Sequence, residues 1–488
     1  MSTLADAVVA LSWLFLVYFV VANLGYYLPS NLAGFAGLLE SVRKRKGKSI
    51  DQLEESPFLP GIAIVTPAYN ESELILDSVS SFLDTEYPNA EVVVVNDGST
   101  DDTLDKLRAE FDLQPTDESV PDDAPCQRVR TIYRAETVPL VVVDKVNGGI
   151  GDAQNAGIWV TDKPLVCIAD ADTLLNRRGL HMLVRPFLER PDETVATGGI
   201  IHALNAFEFE HGEPVAMRVP SQVVRFQVVE YFRTFYLNRI GMTRLGCLHL
   251  ISGAVGLFRT DLVREINGYN RVRNQHSEDL DLTLRMHKYM KRSGEPYRIA
   301  FVPDPVAWTD FPNTIRQLGH QRRLWFEGLL QVFALHRPMI GRKRYGLVGL
   351  FALPGLLFIE GLGRLTEAVG YVVVGLAFLT GFLNIQFFTT FLLLSVGLGI
   401  FISWIGILSD VLTFKLYDQP REVLRLLVSG IFEPVGFRQV WSLLSLPAIR
   451  DYLRDDTDWA ALVDDSGRFA SLSHDAATGR TDGGEDDD

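Results

Sequence analysis

Three carboxylates lie within four positions of the chain, where Glu278, Asp279 and Asp281 precede an apolar run with helical spacing. One interpretation is a helix start, because Ser277 can cap the helix and acidic side chains are favoured at the positive end of its dipole. The other is catalysis, because a carboxylate at this place can accept a proton as a general base. The two are compatible, and the residues alone leave both open.

A second pair of carboxylates, Asp170 and Asp172, follows the apolar run 164–169. Carboxylate oxygens suit Mg²⁺ or Mn²⁺, which proteins commonly bind through one or two carboxylates together with the phosphates of a substrate. Asp97 follows another apolar run and precedes Gly98, so its carboxylate can accept hydrogen bonds from a nucleotide base or ribose. For all three acids the alternative is a polar turn after a strand.

The elements that must position these acids are strands and helices in alternation. Apolar runs at 61–66, 91–95 and 164–169 predict strands, and the stretch 73–85 predicts a helix. This order predicts an α/β domain with a mostly parallel sheet and helices on both faces. Ligands bind outside the carboxyl ends of such strands, and this is where the acids of the three runs converge.

The composition is that of a membrane protein with a large polar domain. Of the 488 residues 47% are hydrophobic, and the mean hydropathy is +0.11. The net charge of −15 argues against nucleic acid as a partner. Few lysines beside many aspartates are typical of salt-loving organisms such as halophilic archaea. The three cysteines are too far apart in the sequence for a zinc knuckle.

Apolar segments at both ends predict membrane spans. Residues 7–28 carry no charge and, at ~1.5 Å per residue, can cross a ~30 Å hydrocarbon layer. The basic cluster 43–48 belongs on the cytoplasmic side, which places the polar domain in the cytoplasm of a multi-pass protein of the cell membrane. About four further spans are expected, near 345–363, 366–384, 387–413 and 423–436.

Glu360, Arg364 and Glu367 interrupt the first two of these C-terminal segments. Charged residues within a membrane usually face a protein interior or a water-filled path, but these can equally mark the turn between two spans. Four spans would return the acidic tail to the cytoplasm. The expected parts are a membrane helix (1–30), a basic linker (31–60), the polar domain (61–310), interface helices (311–344), the spans (345–443) and a partly disordered tail (444–488).

The stretch 313–336 has apolar residues at helical spacing and a basic face, which predicts an amphipathic helix at the membrane surface. It contains Gln321, Arg322, Arg323 and Trp325. An aromatic ring here can stack on a sugar or anchor the helix in the membrane.

Seven motifs together resemble the membrane-embedded family 2 glycosyltransferases, which include cellulose, hyaluronan, chitin and poly-N-acetylglucosamine synthases. They are TPAYNES (66–72), VNDGSTDDT (95–103), KVNGGIGDAQNAGI (145–158), DAD (170–172), SGAVGLFR (252–259), EDLDL (278–282) and QRRLW (321–325). The resemblance implies a GT-A nucleotide-sugar-binding domain joined to an α-helical transmembrane region. It also implies an inverting, metal-dependent hexosyltransferase that uses a nucleotide sugar, usually UDP-linked.

The resemblance assigns the proton acceptor to Asp279 and a Mg²⁺ or Mn²⁺ site to Asp170 and Asp172. It assigns substrate binding to Pro67, Tyr69, Glu71, Asp97, Lys145, Asp170, Ser252, Gly253, Glu278, Gln321, Arg322, Arg323 and Trp325. The chain departs from the family pattern at two positions. Leu324 occupies the arginine position of the motif Q-x-x-R-W, so Arg322 or Arg323 must supply that cation. Ile150 stands where many relatives have lysine, and Lys145 is expected to keep a phosphate contact.

The leading hypothesis is a processive synthase that takes a UDP-sugar, by resemblance UDP-N-acetylglucosamine, and extends a β-linked chain that leaves through its own spans. Its expected partners are this donor, the growing polysaccharide, membrane lipid and accessory membrane subunits. One alternative is a non-processive transferase that acts on a lipid-linked acceptor. Another is a non-catalytic membrane scaffold that binds nucleotide sugar, a hypothesis motivated by Leu324 and Ile150.

Overall fold

The computed structural model describes residues 2–45, 59–210, 213–219, 221–272, 275–381, 383–414 and 419–454. Its strands are β1 (Ile62–Ala68), β2 (Ala90–Asn96), β3 (Gln114–Thr116), β4 (Val129–Arg134), β5 (Leu140–Lys145), β6 (Leu165–Ala169), β7 (Thr173–Leu175), β8 (Thr194–Ala203), β9 (Phe207–Glu210), β10 (Glu213–Met217), β11 (Val255–Arg259) and β12 (Arg298–Thr309). Ten of them form one sheet in the order β3-β4-β5-β2-β1-β6-β11-β8-β12-β7, and β9 pairs with β10.

The centre of the sheet is parallel. β5, β2, β1 and β6 run side by side in one direction, whereas β11 is antiparallel to its neighbours β6 and β8. The carboxyl ends of the four parallel strands therefore meet at one edge. Because Ala68 pairs with Asn96, the residues that follow β1 and β2 lie next to each other there. The predicted α/β fold with a GT-A-like sheet is confirmed.

Two hydrophobic cores cover the two faces of this sheet. Side chains alternate between the faces of a strand, so Ala63 and Val65 of β1 belong to one core, while Ile62 and Ile64 belong to the other. Both faces of β1 are thus buried, which explains why its sequence is apolar without interruption. The polar residues after the strand are the first that can reach solvent or a ligand.

The helices surround the sheet and extend into an apolar C-terminal part. They are α1 (Ser2–Val20), α2 (Leu28–Arg45), α3 (Ile75–Leu83), α4 (Thr103–Glu110), α5 (Ile150–Val160), α6 (Gly179–Glu189), α7 (Gln222–Tyr231), α8 (Leu237–Arg244), α9 (Thr260–Glu265), α10 (Glu278–Ser293), α11 (Ile315–His336), α12 (Leu353–Gly355), α13 (Leu362–Leu379), α14 (Ile385–Phe414), α15 (Pro420–Phe432), α16 (Arg438–Ser445) and α17 (Pro447–Arg454). Wider helical turns join several of them, at Val21–Tyr27, Phe232–Tyr236, Val348–Ala352, Leu356–Gly361 and Glu433–Phe437.

Three helical segments in the described residues are long and apolar enough to cross a membrane, namely Ala10–Ser41, Val348–Leu379 and Phe388–Val411. The predicted spans 345–363 and 366–384 are wrong as separate elements, because one helical segment runs through both. The predicted span 423–436 falls mainly in α15, whose 13 residues reach only ~20 Å at ~1.5 Å each.

The N-terminal segment is longer than predicted, since α2 continues the helix to Arg45 through the first part of the expected linker. It packs closely against α8. A side chain at Gly34 would collide with the backbone of Leu237, and one at Gly241 would collide with the backbone of Ser30. The two glycines thus fix this apolar helix to the polar domain. The predicted tail from residue 455 onward lies outside the described residues.

Candidate active site

A cavity of about 400 Å³ lies between the carboxyl edge of the sheet and the apolar C-terminal helices. Its wall combines Asp170 and Asp172 after β6 with Glu278 and Asp279 at the start of α10. Residues far apart in the sequence thus share one enclosure. The other side of the cavity is formed by α7, α8, α11, α13 and α16.

Asp170 and Asp172 lie in the turn that joins β6 to β7. The hydroxyl of Thr309, the last residue of β12, donates to Asp172 Oδ1 at 3.3 Å. Burial and the neighbouring charges of Asp172, Asp279 and Glu71 raise the pKa of Asp170 to about 7. An ionised carboxylate is therefore costly here unless a cation neutralises it.

Asp279 is held by backbone groups at the start of α10. Its Oδ2 accepts from the N–H of Gly253 at 3.0 Å, and its Oδ1 accepts from the N–H of Leu280 at 2.7 Å. Burial raises the pKa of Asp279, while these two N–H groups and the charge of Arg239 oppose the rise. Ser277 holds the cap position without a side-chain hydrogen bond, so it does not cap the helix in the expected way.

Glu278 is buried like Asp279. In the described residues, however, no backbone N–H of another residue donates to its carboxylate. Burial, followed by the charge of Asp279, raises the pKa of Glu278 to about 8. The hydrogen bonds and Arg239 favour the charge of the pair on Asp279 rather than on Glu278. Asp279 is the better proton acceptor of the two.

Asp281, the third acid of the group, does not line the cavity. Its carboxylate accepts from Arg285 Nε at 2.9 Å and lies 2.8 Å from His336 Nε2. Because Asp281 and Arg285 are both in α10 and His336 ends α11, the contact with His336 ties the two helices together. Gly328 of α11 makes the approach possible, since a side chain there would collide with Ser277.

The carboxylates around Asp172 form a wider acidic cluster. Burial and the charge of Asp172 raise the pKa values of Glu71 and Asp310. No group of three or more potential ligands in the described residues is arranged to hold a metal by itself. Two hard oxygen ligands in an uncompensated acidic cluster nevertheless fit a divalent cation that completes its coordination with phosphate oxygens and water.

Asp97 and Lys145 differ from their predicted roles. Lys145 is fully buried, and its Nζ lies 2.6 Å from Asp97 Oδ1 and 2.5 Å from Asp152 Oδ1. Asp97 also accepts from the N–H groups of Gly148 and Gly149 at 2.9 and 2.8 Å. The ammonium of Lys145 is enclosed between two carboxylates, so its expected phosphate contact stays a prediction that this arrangement does not favour. Asp97 likewise uses both oxygens to hold the loop before α5.

Pro67, Tyr69 and Glu71 follow or end β1 beside Asp97, outside the enclosed part of the cavity. Tyr69 is half exposed, and the N–H of Glu71 donates to Thr103 Oγ1 at 3.0 Å. The loop is thus fixed to the start of α4. The loop lies on the open side of the same sheet edge, and Glu71 is near Asp172.

Helix α11 begins with a reciprocal cap in which the hydroxyl of Thr314 accepts from the N–H of Gln317 and the Gln317 side chain accepts from the N–H of Thr314. Beyond this start the helix presents Gln321, Arg322 and Trp325 to the cavity. The predicted interface helix is therefore also a wall of the site.

The structure distinguishes the two arginines of this helix. Arg322 lines the cavity, where its guanidinium pairs with Glu230 at 2.8 Å and lies 4.5 Å from the Trp325 ring. Arg323 is directed to Asp451 instead. Successive residues of an α-helix diverge by about 100°, so Arg322 rather than Arg323 is placed to meet a ligand in this cavity.

Ser252 and Gly253 lie on the cavity wall just before β11. A side chain at position 253 would meet Glu278 and Asp279 at ordinary contact distance, 3.6 Å or more. Close packing therefore does not demand glycine at this position. Its observed contact is the N–H that orients Asp279.

The membrane side of the cavity contains several residues that lie outside the seven motifs. Glu230, Arg239, Arg438 and Trp441 lie there, although nothing in the sequence distinguishes the first two from ordinary helix residues. Glu360, Arg364 and Glu367 join them. Of the two interpretations of these three charges, the structure supports the one in which they face a protein interior.

A family model described as "Glycosyltransferase like family 2" matches residues 60–328. The chain is 23% identical over 312 residues to poly-beta-1,6-N-acetyl-D-glucosamine synthase of Staphylococcus epidermidis, with 64% of this chain and 62% of that protein covered. It is 24% identical over 314 residues to the synthase of the same name from Staphylococcus aureus, with the same coverage. It thus spans less than two thirds of the length of these relatives.

Among solved structures, the mannosyltransferase PcManGT from Pyrobaculum calidifontis, in complex with GDP-Man and Mn²⁺, matches with a TM-score of 0.49 and 16% identity. The match covers 90% of this chain and 100% of that one.

Proposed function

Since the chain belongs to the family 2 glycosyltransferases, we propose that it is a hexosyltransferase that transfers a sugar from a UDP-sugar, with inversion, to a growing β-linked polysaccharide. The observation that carries this proposal is the meeting of Asp279 with Asp170 and Asp172 in one cavity. Displacement at an anomeric carbon needs a base at the acceptor hydroxyl and a cation at the leaving diphosphate. We favour UDP-N-acetylglucosamine as the donor because both Staphylococcus relatives are named as synthases of its polymer.

Asp279 is the proposed base. The N–H of Gly253 fixes its Oδ2, and the helix start fixes its Oδ1, so the carboxylate is oriented before any substrate binds. It takes the proton of the acceptor hydroxyl as that oxygen attacks the sugar. Its raised pKa makes it a stronger base than an exposed aspartate, which is consistent with that task.

Asp170 and Asp172 are the proposed holders of Mg²⁺ or Mn²⁺. When bound, the ion supplies positive charge to the diphosphate as it leaves. The acidic cluster that raises the pKa of Asp170 supports this role, because repulsion between these carboxylates is relieved when a cation lies between them.

Arg322 is the proposed substitute for the arginine of Q-x-x-R-W, beside Gln321 and Trp325 at the substrate. It already lies in the cavity, held by Glu230. Ile150 begins α5 with an exposed apolar side chain and offers no charge to a phosphate.

Processive transfer with export is the finer part of the proposal. The cavity runs from the acids to α13 and α16, so a product would move toward apolar helices. Within the described residues, two candidate spans follow the polar domain instead of the four expected. Because both numbers are even, the C-terminal residues still return to the side of the polar domain, which the basic cluster assigns to the cytoplasm.

The test uses the purified protein in detergent and high salt, with UDP-sugars offered singly in Mg²⁺ or Mn²⁺. UDP release is measured and the product is sized. Release with a long polymer that a β-glycosidase digests is the expected result. Binding of UDP without release from any donor would favour the non-catalytic scaffold and overturn the proposal.

A further inference from the structure

The cavity continues past Asp279 toward the apolar helices, and arginine is the most frequent charged residue on this part of its wall. The lining there contains Arg233, Arg239, Arg322, Arg364, Arg438, Glu230, Glu360 and Glu367. Charged groups beside membrane segments are costly unless they are paired or bind a ligand. The pairing of these residues therefore indicates what the cavity can accept.

Three of the arginines have a carboxylate partner. The pairs are Arg322 with Glu230 at 2.8 Å, Arg438 with Glu367 at 3.2 Å, and Arg233 with Glu433 at 3.0 Å. Two guanidinium groups and one carboxylate remain, those of Arg239, Arg364 and Glu360. Apart from Asp279, whose charge Arg239 also meets, this part of the wall carries one positive charge in excess.

Arg239 and Arg364 pack on aromatic rings. The guanidinium carbon of Arg239 lies 4.4 Å from the ring centre of Phe235, and that of Arg364 lies 4.3 Å from Trp441. Arg364 Nη1 is buried without a hydrogen-bond partner. Within the described ranges of the chain, neither guanidinium takes part in an ion pair or hydrogen bond. A guanidinium that stacks through its face keeps its N–H groups, which lie at its edge, for an anion.

Glu360 lies within electrostatic range of both arginines, so the three residues form one cluster. An anion with a single charge would balance it. A phosphodiester has one negative charge and two free oxygens, which can accept hydrogen bonds from two guanidinium groups at once. A carboxylate can be satisfied by one arginine in a bidentate pair, so two unpartnered arginines favour the phosphodiester.

The residues around the cluster offer apolar surface that suits a lipid chain. Arg364 belongs to the candidate span Val348–Leu379, and Tyr27 of the candidate span Ala10–Ser41 lines the same cavity. Leu356 and Ile359 add apolar surface to the wall. A ligand with a phosphodiester and a hydrocarbon chain matches both the charge and the apolar surface.

We propose that Arg239 and Arg364 bind the phosphodiester of a lipid-linked sugar acceptor and thereby place its hydroxyl at Asp279. This inference rests on the proposed glycosyl transfer and names the acceptor that receives the first sugar. Arg239 is suited to the task because it lies close enough to Asp279 for their charges to interact.

The test compares two probes, a short polyprenyl phosphodiester of N-acetylglucosamine and an alkyl glycoside of the same sugar without phosphate. Binding is measured without donor by tryptophan fluorescence, and the acceptor KM is measured with donor. The variants are Arg239→Gln, Arg364→Gln and Arg239→Lys. Arg244→Gln is the matched control, because Arg244 lies on the same helix as Arg239 but pairs with Glu40 on the surface.

We expect the wild type to bind the phosphodiester at least about tenfold more tightly than the alkyl glycoside, the size of one charge-assisted contact. Both glutamine variants should lose this preference, Arg239→Lys should regain part of it, and Arg244→Gln should keep it. Binding of UDP with Mn²⁺ should not change in any of them.

Equal binding of the two probes by the wild type would overturn the inference, as would a preference that survives both glutamine substitutions. Loss of UDP binding in the variants would assign the arginines to the donor instead. Tighter binding of a uronic acid oligosaccharide than of the phosphodiester would replace the lipid by an acidic glycan. Failure of the proposed transfer is a separate result, since UDP release would then be absent while the difference in probe binding persists.

Discussion

The acidic residues at the carboxyl edge of the sheet have two opposite electrostatic environments. Around Asp97 the carboxylates are paired within the protein, because the buried Lys145 lies between Asp97 and Asp152 and backbone N–H groups also donate to Asp97. Around Asp170 the carboxylates face one another, and their pKa values are raised. The carboxylates of the first region have their partners within the protein, whereas those of the second region would be stabilised by a bound cation.

At one sheet edge, the acids that hold the fold together are therefore separate from the acids proposed to take part in the reaction. A buried lysine between two aspartates rigidifies the loop that precedes α5 and leaves no charge for a substrate. Repulsion between the carboxylates of the acidic cluster favours the binding of a cation among them. Substitutions in the two regions should therefore change different properties of the protein.

The largest effect is expected from Asp279→Asn. The amide keeps the shape of the side chain but cannot accept the acceptor proton, so kcat should fall by about 10²–10⁴. Binding of UDP with Mn²⁺ should persist, because the donor contacts remain. Steady-state UDP release and UDP titration measure the two quantities.

The control for this variant is Asp281→Asn. Asp281 is held by Arg285 and His336 away from the reacting centre. It should lose thermal stability while the folded fraction keeps much of its turnover. Near-normal turnover in Asp279→Asn would remove Asp279 as the base.

The next effect concerns the paired region around Asp97 and is one of stability. Lys145→Met leaves Asp97 and Asp152 buried without a cation, which costs about 3–5 kcal/mol of unfolding free energy. The change is measured as a loss of thermal stability in detergent. Lys163→Met is the control, because the ammonium of Lys163 donates to the side-chain oxygen of Asn89 in an exposed contact. A stable Lys145→Met variant with weakened donor binding would restore the phosphate contact predicted from the sequence.

Asp172→Ala should not lower the thermal stability of the metal-free protein, in contrast to Lys145→Met. It removes a negative charge beside Asp170, so without metal the variant should be at least as stable as the wild type above neutral pH. The sign follows from the raised pKa of Asp170, whose ionised form is disfavoured in the folded protein. Affinity for UDP in Mn²⁺ should fall about tenfold or more.

Asp310→Ala serves as the matched acid, since Asp310 lies in the same cluster but was not predicted to bind metal. It should retain the effect of Mn²⁺ on UDP binding. Unchanged UDP affinity in Asp172→Ala would refute the metal assignment.

The sequence was sufficient for the parts of the site that depend on strand ends. Apolar runs followed by acids predicted β1, β2 and β6 and the edge at which Asp97 and Asp170 lie. The order of strands and helices predicted the sheet, because buried parallel strands leave an uninterrupted apolar pattern.

It was insufficient wherever a partner came from elsewhere in the chain. Asp152 encloses Lys145, and Asp451 draws Arg323 from the cavity; neither pairing has a signal at the residue itself. Arg239 was missed for the same reason, because an arginine in an amphipathic helix usually faces solvent. The charges near Glu360 left two interpretations, since apolar stretches of similar length form two spans or one long helix.

The smallest expected effect is that of Glu278→Gln, and it tests which acid of the pair carries the charge. Asp279 must be ionised to accept a proton, so kcat/KM should fall as the pH drops through the pKa of Asp279. Glu278, with a pKa of about 8, keeps its proton at acidic pH. Glutamine should therefore leave the acid limb of the pH profile within about half a pH unit and remove only an inflection near pH 8. The profile is measured with Mn²⁺ and saturating donor in both proteins. If the acid limb moved by a full unit, or activity were lost at every pH, Glu278 would be the ionised partner, and its carboxylate would replace that of Asp279 as the base.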